Sequence, residues 1–429
     1  MSGSIIYILL RRLRSPLIAL VTVYAIFVLG FVIIPGKGSD EGMSFFDAFY
    51  FVSYTGTTIG FGEFSKGGVG FSPGQRAWTL LAIYATVITW LYGVGSLLTV
   101  LQDPAFKRIL QHSKFSRKVK ELREPFYIVC GYGDTGRQLV QALSSANIRS
   151  VVIDISVDKI NELEVEDLLI PSLGLAADAS RSEVLLDAGI KRDWCKGVVA
   201  LATSGSTNLS VAITVQLLNP KARFIARADS IEMQNNILSF GANEVINPFE
   251  TFADSLSLLI HSPSLYTLFE WLSGIPGDSL VEPFFIKKGH WILAGYGRFG
   301  KAIYNHLSER GVKVKVIEPD VEKHDLPSGS VRGYATEAID LKKAGIEQAV
   351  GVIAGTDSDS DNLSTLITAV DINANIFTIA RQTDQQNSVI FKAAHLDLVL
   401  QRGAVVAHKI FALIRTPLLG DFLRIAIRF

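Results

Sequence analysis

A short run of threonines, glycines and apolar residues is the first stretch of this 429-residue chain whose residue types could do chemistry. It reads Thr57-Thr58-Ile59-Gly60-Phe61-Gly62 and is followed by Glu63. Gly60 and Gly62 tolerate positive φ at little steric cost, so the backbone can extend there with its carbonyls turned to one side. A row of such carbonyls, repeated around a symmetry axis, can replace the hydration shell of a monovalent cation.

Two later stretches have the pattern of a phosphate-binding turn. The first, Gly131-Tyr132-Gly133-Asp134-Thr135-Gly136, follows an apolar run, and Asp154 ends the next apolar run. The second, Gly295-Tyr296-Gly297-Arg298-Phe299-Gly300, begins 164 positions later, and Glu318 keeps the same offset from Asp154. Strand, glycine turn, helix, strand and acid is the order of a dinucleotide-binding unit. The sequence therefore predicts an internal duplication with one doubly wound unit in each copy.

The glycine turns and the two acids indicate a class of ligand. Bare amides at a helix N-terminus hold phosphate, and Asp154 or Glu318 could accept hydrogen bonds from a ribose diol while repelling a 2′-phosphate. This favours NAD or an adenine nucleotide over NADP. The alternative is that the glycines only permit close packing of strand and helix. Arg298 could add a phosphate contact whereas Asp134 would oppose one, so the second copy is the expected anion site.

The elements before the first turn are typical of a membrane protein. Residues 17–34 and 77–101 lack Asp, Glu, Lys and Arg, and each run is about long enough to cross a bilayer. A cleaved signal peptide is the alternative for the first run. Residues 44–54 are apolar and aromatic but too short to span, which predicts a helix that re-enters the membrane. Basic residues outside both runs place both termini in the cytoplasm.

Residues 15–104 resemble the pore module of two-transmembrane-helix potassium channels, which function as tetramers. The resemblance implies that the carbonyls of Thr58, Ile59, Gly60 and Phe61, with the Thr58 hydroxyl, bind K⁺ and that Thr57 supports them from behind. Glu63 stands where the family usually has Asp, and Phe61 lacks the usual Tyr hydroxyl. Gly93 and Gly95 are candidates for the gating hinge, and close helix packing is the alternative role for them.

The duplicated half resembles RCK domains, the regulators of potassium conductance attached to many prokaryotic channels. Each copy ends in an apolar helical hairpin, at 248–273 and 403–429, whose exposed faces suit a contact between subunits. The fold prediction is an all-α membrane pore of two transmembrane helices and a re-entrant helix, followed by two α/β Rossmann-like domains. The predicted domains are the pore, the linker, the first RCK domain and the second RCK domain, at 1–104, 105–124, 125–274 and 285–429.

The resemblance implies a homotetrameric potassium channel of the prokaryotic plasma membrane, gated by a small ligand on a cytoplasmic ring of eight RCK domains. NAD or an adenine nucleotide is the expected ligand. Calcium is less favoured because Arg227 occupies a place where calcium-binding relatives have carboxylates. Asp357, Asp359 and Asp361 alternate in a loop that could hold a divalent ion or could be a solvated turn.

Two other functions are compatible with parts of the sequence. A potassium transporter component regulated by nucleotide uses similar RCK modules, although such carriers usually join several pore units in one chain. A membrane-tethered NAD-dependent oxidoreductase would need an acid or base placed at the cofactor. The sequence gives no convergent partner for the histidines His261, His306, His324, His395 and His408, so we expect no enzyme. Equal numbers of basic and acidic residues, 41 each, give no reason to expect a nucleic-acid partner.

Overall fold

The computed structural model describes residues 2–38, 40–60, 70–274, 282–283, 285–320, 322 and 325–416. The chain divides into two compact units, Met1–Lys114 and Phe115–Phe429.

The first unit contains the helices predicted for the membrane. They are α1 (Ser2–Ile33), α2 (Phe45–Gly56) and α3 (Pro73–Gln102), and α4 (Pro104–Glu121) follows them. Within α1, Leu13–Ile33 is long and apolar enough to cross a membrane, as is the whole of α3. The short α2 begins where the sequence predicts, because the Ser44 side chain accepts a hydrogen bond from the Asp47 amide at 3.2 Å.

Aromatic side chains hold α2 between the two long helices. Phe31 of α1 is fully buried and meets the ring of Phe51 on α2 edge-on, with 5.0 Å between the ring centroids. Gln75, in the first turn of α3, is buried and donates from Nε2 to the Ile34 carbonyl at 3.1 Å. This bond satisfies one of the carbonyls left unpaired at the end of α1.

The second unit contains two Rossmann-like copies, each a six-stranded parallel sheet. The strand order is β3-β2-β1-β4-β5-β6 in the first copy and β12-β11-β10-β7-β8-β9 in the second. The first copy comprises β1 (Phe126–Cys130), α5 (Asp134–Ser145), β2 (Arg149–Asp154), α6 (Val157–Val165), β3 (Leu173–Ala176), α7 (Ser182–Asp187), β4 (Cys195–Ala200), α8 (Gly205–Leu218), β5 (Arg223–Arg227), α9 (Ile231–Ser239), β6 (Glu244–Ile246), α10 (Pro248–His261) and α11 (Pro263–Ser273). The second comprises β7 (His290–Ala294), α12 (Arg298–Glu309), β8 (Lys313–Glu318), β9 (Val331–Arg332), α13 (Ala338–Lys343), β10 (Gly351–Ala354), α14 (Asp359–Ile372), β11 (Phe377–Gln382), α15 (Ser388–Ala393), β12 (Leu398–Gln401) and α16 (Arg402–Arg415), with short 3₁₀ helices at Ile346–Gln348 and Gln385–Asn387.

This topology confirms the predicted fold class. In each sheet the chain runs outward on one side and then returns to add strands on the other, so the order reverses beside the first strand, β1 or β7. Ligands of doubly wound folds bind outside the carboxyl ends of the strands at this reversal.

Burial raises the pKa of both Cys130 and Cys195 to about 12, so these thiols are inert parts of the first core.

The two copies exchange helices. After β6, α10 leaves the first copy and packs on α12 of the second, with the rings of Phe252 and Phe299 4.5 Å apart. After β12, α16 packs on α5 of the first copy, where Ile410 and Phe411 join Leu143 in one core. The first helix of each hairpin, which we expect from sequence to contact another subunit, is thus covered by the other copy of the same chain. Residues 417–429 of the second hairpin lie outside the described residues.

Most of the predicted linker, 105–124, is the helix α4. Phe115 and Val119, four residues apart on one face of α4, are buried in the core of the first copy. The Arg192 guanidinium donates to the carbonyls of Lys120 at 2.8 Å and Leu122 at 2.5 Å. A cation at this end also complements the negative end of the helix dipole. The end of α4 is therefore fixed to the first Rossmann copy.

Candidate functional site

The segment after α2 leaves the helix through two residues in left-handed conformations. Thr58 has φ +65° and Gly60 has φ +61°, and Ile59 between them does not have a positive φ. A β-branched residue in this region costs on the order of 1–3 kcal/mol, which the surrounding structure must offset. Phe61 and Gly62, the rest of the predicted filter, lie outside the described residues, as does Glu63.

The last carbonyls of α2 hold this segment. Thr57 donates to the Ser53 carbonyl from its amide at 3.1 Å and from its hydroxyl at 2.9 Å. The Ile59 amide donates to the Tyr54 carbonyl at 3.0 Å. These bonds turn the amides of Thr57 and Ile59 toward the helix end, while the side chains of Thr58 and Ile59 are exposed.

Gly93 and Gly95, the predicted hinge, lie within a continuous helix α3. A Cβ built on either residue would meet nothing within 4 Å among the described residues, so packing within this part of the chain does not require glycine at either position. The Thr99 hydroxyl donates to the Gly95 carbonyl at 2.8 Å. Such back-bonding to the i−4 carbonyl slightly destabilises a helix and often bends it.

The three glycines of each phosphate-binding turn have different roles. Gly131 and Gly295 have φ +109° and +91°, which other residues rarely adopt. A Cβ on Gly136 would lie 2.0 Å from the Gly131 carbonyl oxygen, and a Cβ on Gly300 would lie 2.0 Å from that of Gly295. The first and third glycines are therefore required by the fold itself.

The middle glycines are not required by packing. Among the residues that the structure describes, the nearest to a Cβ on Gly133 would be Lys159, whose ammonium lies 3.7 Å away, and a Cβ on Gly297 would have no neighbour within 4 Å. Their φ values, −86° and −65°, are accessible to any residue. The space that they leave lies at the N-termini of α5 and α12, where amides can hold an anion.

The two acids have equivalent positions. Asp154 is buried and accepts from the Tyr132 amide at 2.6 Å and the Ser156 amide at 2.8 Å. Glu318 is buried and accepts from the Tyr296 amide at 2.6 Å and the Asp320 amide at 3.1 Å. Each carboxylate thus braces its glycine turn and keeps lone pairs for a further donor, since a carboxylate offers about four acceptor positions.

A cavity of about 360 Å³ lies at the first turn. Its near wall is the turn with Asp154, and Lys159 of α6 also lines it. The second copy supplies the far wall, in which Arg381 and Gln382 lie at the end of β11. The other second-copy residues of this wall are Thr383, Gln385, Gln401 and Gly403.

A second cavity, of about 460 Å³, lies at the second turn and is built differently. It is lined by the turn, Glu318, and residues such as Tyr334, Thr336 and Asp357 of the same copy. Among the described lining residues, Phe249 is the one that the first copy contributes. Arg298, predicted to contact phosphate, holds its guanidinium 4.8 Å from the centre of the Phe249 ring.

Arg381 lines both cavities, and sequence reasoning missed it. The residue is 3% exposed, stacks over the Phe299 ring at 4.5 Å and contacts Asp357 at 2.6 Å. Its Nε has no hydrogen-bond acceptor among the described residues. The only signal in the sequence is that Arg381 matches Arg227 of the first copy at the end of the equivalent strand.

The carboxylates considered for calcium do not come together. Asp359 is turned inward and accepts from the Thr383 amide at 2.7 Å and the Asn387 side chain at 2.7 Å, while Asp357 pairs with Arg381. Arg227 forms a two-pronged ion pair with Asp229, at 2.8 and 3.0 Å. Within the described ranges, no group of three or more His, Cys, Asp or Glu residues is arranged to hold a metal ion.

The described histidines lie away from both cavities. His306 does have two acidic partners, at 2.7 Å from Glu250 and 2.9 Å from Asp254, which the sequence did not reveal. Both acids are on α10, so this cluster joins the exchanged helix α10 to α12. His261, His395 and His408 are also not among the described lining residues of either cavity, and His324 lies outside the described residues.

Comparison with known proteins gives matches over both halves of the chain. The TrkA-N domain family matches residues 127–248 and 291–402, together 234 of the 429 residues, and the ion channel family matches residues 17–103. Among relatives, "Probable potassium channel protein 2" of Methanocaldococcus jannaschii is 31% identical over 216 residues, which are 49% of this chain and 59% of that protein. "Potassium channel protein 1" of the same organism is 25% identical over 248 residues, 58% of this chain and 72% of that protein.

Solved structures share the architecture. The structure described as "GsuK Channel" is 20% identical, with a TM-score of 0.56 over 96% of this chain and 98% of that one. The crystal structure of GsuK bound to ADP is 19% identical, with a TM-score of 0.54 over 96% and 99% of the two chains. The likeness supports the fold, and the ion channel match together with the two long apolar helices indicates a membrane protein. The chain therefore belongs to the TrkA-N domain family, with two copies of that domain behind a segment that matches the ion channel family.

Proposed function

We propose that the chain is one subunit of a potassium-selective channel gated by a nucleotide that binds its Rossmann copies. The observation that carries the proposal is the backbone after α2, between two helices of membrane length. Thr58 and Gly60 have left-handed φ values and Ile59 between them does not. Such alternation can turn successive carbonyls to the same side, as a cation site built of backbone oxygens needs.

Four chains are needed to complete this site. One chain supplies one segment at Thr57–Gly62, and a ring of carbonyls around the ion requires copies related by symmetry. We therefore propose a homotetramer with eight Rossmann copies in a cytoplasmic ring and both termini of the chain in the cytoplasm. The relatives are described as potassium channel proteins, which supports K⁺ as the permeant ion. They also support a channel over the oxidoreductase and transporter alternatives.

The proposed regulatory ligand is an adenine nucleotide or NAD. The open space at Gly133 and Gly297, beside helix N-termini and buried acids, supports this assignment. GsuK, which shares the fold, has been solved with ADP and with NAD. Cavity geometry and the use of the carboxylates in this chain give no comparable support to calcium.

Ligand binding would act on the pore through α4. The end of this helix is fixed in the first Rossmann copy by Phe115, Val119 and Arg192, and its beginning follows α3 directly in the chain. A ligand shifts the gate only by its differential affinity for the open and closed states.

Single-channel recording tests the proposal. The purified protein is placed in bilayers with K⁺ on both sides, and ADP, ATP, NAD or Ca²⁺ is added on the cytoplasmic side. We expect K⁺-selective currents whose open probability changes with a nucleotide. Currents with no such response would overturn nucleotide gating, and the absence of K⁺ selectivity would overturn the channel assignment.

A further inference from the structure

The first cavity is walled by both copies, which distinguishes it from the second. Its near wall is the turn from Gly131 to Gly136 with Asp154 and Lys159. Its far wall consists of the second-copy residues named above, among them Arg381 and Gly403. Gln138, on α5, donates from its side chain to that of Gln401 at 3.3 Å, and Gln401 in turn donates to Gln382 at 2.9 Å. A hydrogen-bonded path therefore crosses from one copy to the other at the edge of the cavity.

Gly403 shows how closely the second copy approaches the turn. A Cβ at this position would lie 3.0 Å from the Asp134 Cβ and 3.2 Å from the Thr135 amide nitrogen. Contacts of this length are tighter than nine in ten of those that real Cβ atoms make. The beginning of α16 is thus in contact with the beginning of α5, at the amides that would hold phosphate.

Charge at this meeting point favours an anionic occupant. Two helix N-termini, each equivalent to roughly half a positive charge, lie side by side and repel one another. The Lys159 ammonium and the buried Arg381, whose Nε has no acceptor among the described residues, add to the positive potential. Opposing acids also line the cavity, namely Asp134, Asp154 and Glu162. A diphosphate at the turn would relieve the repulsion between the helix ends, and Arg381, which pairs with Asp357 at 2.6 Å, would add a second cation beside Lys159.

The second cavity lacks this arrangement because two residues differ. Phe249, the second residue of α10, occupies the place that Gly403 has at the start of α16, and Arg298 begins α12 where Asp134 begins α5. The aromatic ring lies against the guanidinium, so an apolar side chain is what the other copy presents to this cavity. A ligand bound there would contact the second copy almost alone.

We propose that the first cavity is a bridging site for a nucleoside diphosphate or dinucleotide, which ties the two copies together. The diphosphate lies at the N-terminus of α5 beside Lys159, the ribose diol donates to Asp154, and Arg381 and Gln401 hold the ligand from the second copy. This inference rests on the proposed function. It makes the first copy the site at which ligand binding is coupled to the arrangement of the two copies. From Arg298, the sequence predicts the second copy as the anion site instead.

Calorimetric titration of the purified full-length protein with ADP, and separately with NAD, tests the bridge. Asp154→Asn and Glu318→Gln first assign the binding signal to one cavity or the other. Gln401→Ala and Gly403→Val then change two residues of the far wall of the first cavity, and the valine also presses against Asp134 and Thr135 of the near wall. Because each removes or displaces about one or two hydrogen bonds, we expect binding at the Asp154-dependent site to weaken about three- to tenfold, with the Glu318-dependent site unchanged.

Gly205→Val is the matched control. Gly205 also begins a helix, and a Cβ there would be similarly crowded, 3.1 Å from Met233, but the residue lines neither cavity. It should leave nucleotide affinity unchanged. Undiminished binding at the Asp154-dependent site in both Gln401→Ala and Gly403→Val would overturn the bridge and leave nucleotide gating intact. A wild-type protein that binds neither ADP nor NAD would overturn both, and Gln401→Ala decides the matter if the valine variant does not fold.

Discussion

Replacing the third or the middle glycine of a turn by alanine should have opposite consequences. In Gly136→Ala the new methyl group would lie 2.0 Å from the Gly131 carbonyl oxygen, about 1 Å inside the shortest distance that real Cβ atoms keep. The obstacle is backbone, so α5 must move away from β1. Such overpacking costs typically 1–3 kcal/mol, offset by less than about 1 kcal/mol of helix propensity gained by alanine.

We therefore expect Gly136→Ala to lose about 2 kcal/mol of stability. For a domain of this size that loss lowers the midpoint of thermal unfolding by about 4–8 °C. Gly300→Ala should behave alike, because its methyl group would meet the Gly295 carbonyl oxygen at the same distance. Scanning fluorimetry of the purified protein without nucleotide measures this effect.

Gly133→Ala and Gly297→Ala are the matched comparison. In the described part of the chain their methyl groups meet a flexible lysine at 3.7 Å or nothing within 4 Å, so the unfolding midpoint should stay within about 2 °C of wild type. The methyl groups occupy the space proposed for phosphate, and ADP binding at the altered turn should weaken at least about tenfold. An unchanged midpoint in Gly136→Ala, or an equal loss of stability in Gly133→Ala, would refute this division of roles among the glycines.

Three further outcomes are expected. Gly60→Ala should abolish K⁺ flux into liposomes, because alanine disfavours the left-handed φ of +61°, and preserved flux would contradict the filter assignment. Arg192→Ala removes the hydrogen bonds that fix the end of α4. ADP affinity should be preserved, while the change in channel open probability on adding ADP should fall by about half or more. An unaltered change in open probability would exclude coupling of ligand to pore through α4. Hydrogen bonds to Asp254, and then to Glu250, raise the pKa of His306 to about 9. Its contribution to stability is therefore full below about pH 6.5, declines as the pH rises and is lost above 9, so the wild-type unfolding midpoint should fall over this range more than that of His306→Gln.

Local patterns in the sequence predict much of the fold and the near wall of each cavity. The glycine turns, Asp154 and Glu318 could be found because strand, turn and acid lie within about two dozen residues of one another. The start of α2 was likewise predicted from Ser44, since a cap bonds within its own first turn.

The far wall could not be predicted in the same way. Gln401 lies 263 positions from Gln138, to which it is hydrogen-bonded, and no short-range periodicity links them. The apolar pattern of α10 shows that one face must be covered but not by which element. Arg381 and Arg192 are single arginines outside any motif, and only the tertiary arrangement of the chain gives them partners.

Because the helices are exchanged, the core of the first Rossmann copy is completed only late in the synthesis of the chain. The face of α5, which ends at Ser145, stays uncovered until α16, which ends at Arg415, has been made 270 residues later. At about 5–20 residues per second the ribosome needs roughly 14–54 s for that distance. Throughout this interval the core that contains Leu139 and Leu143 lacks its members from α16, such as Ile410 and Phe411. The nascent chain is thus most open to chaperones, and to mispairing with neighbouring chains on the same messenger, after its first Rossmann copy has been translated.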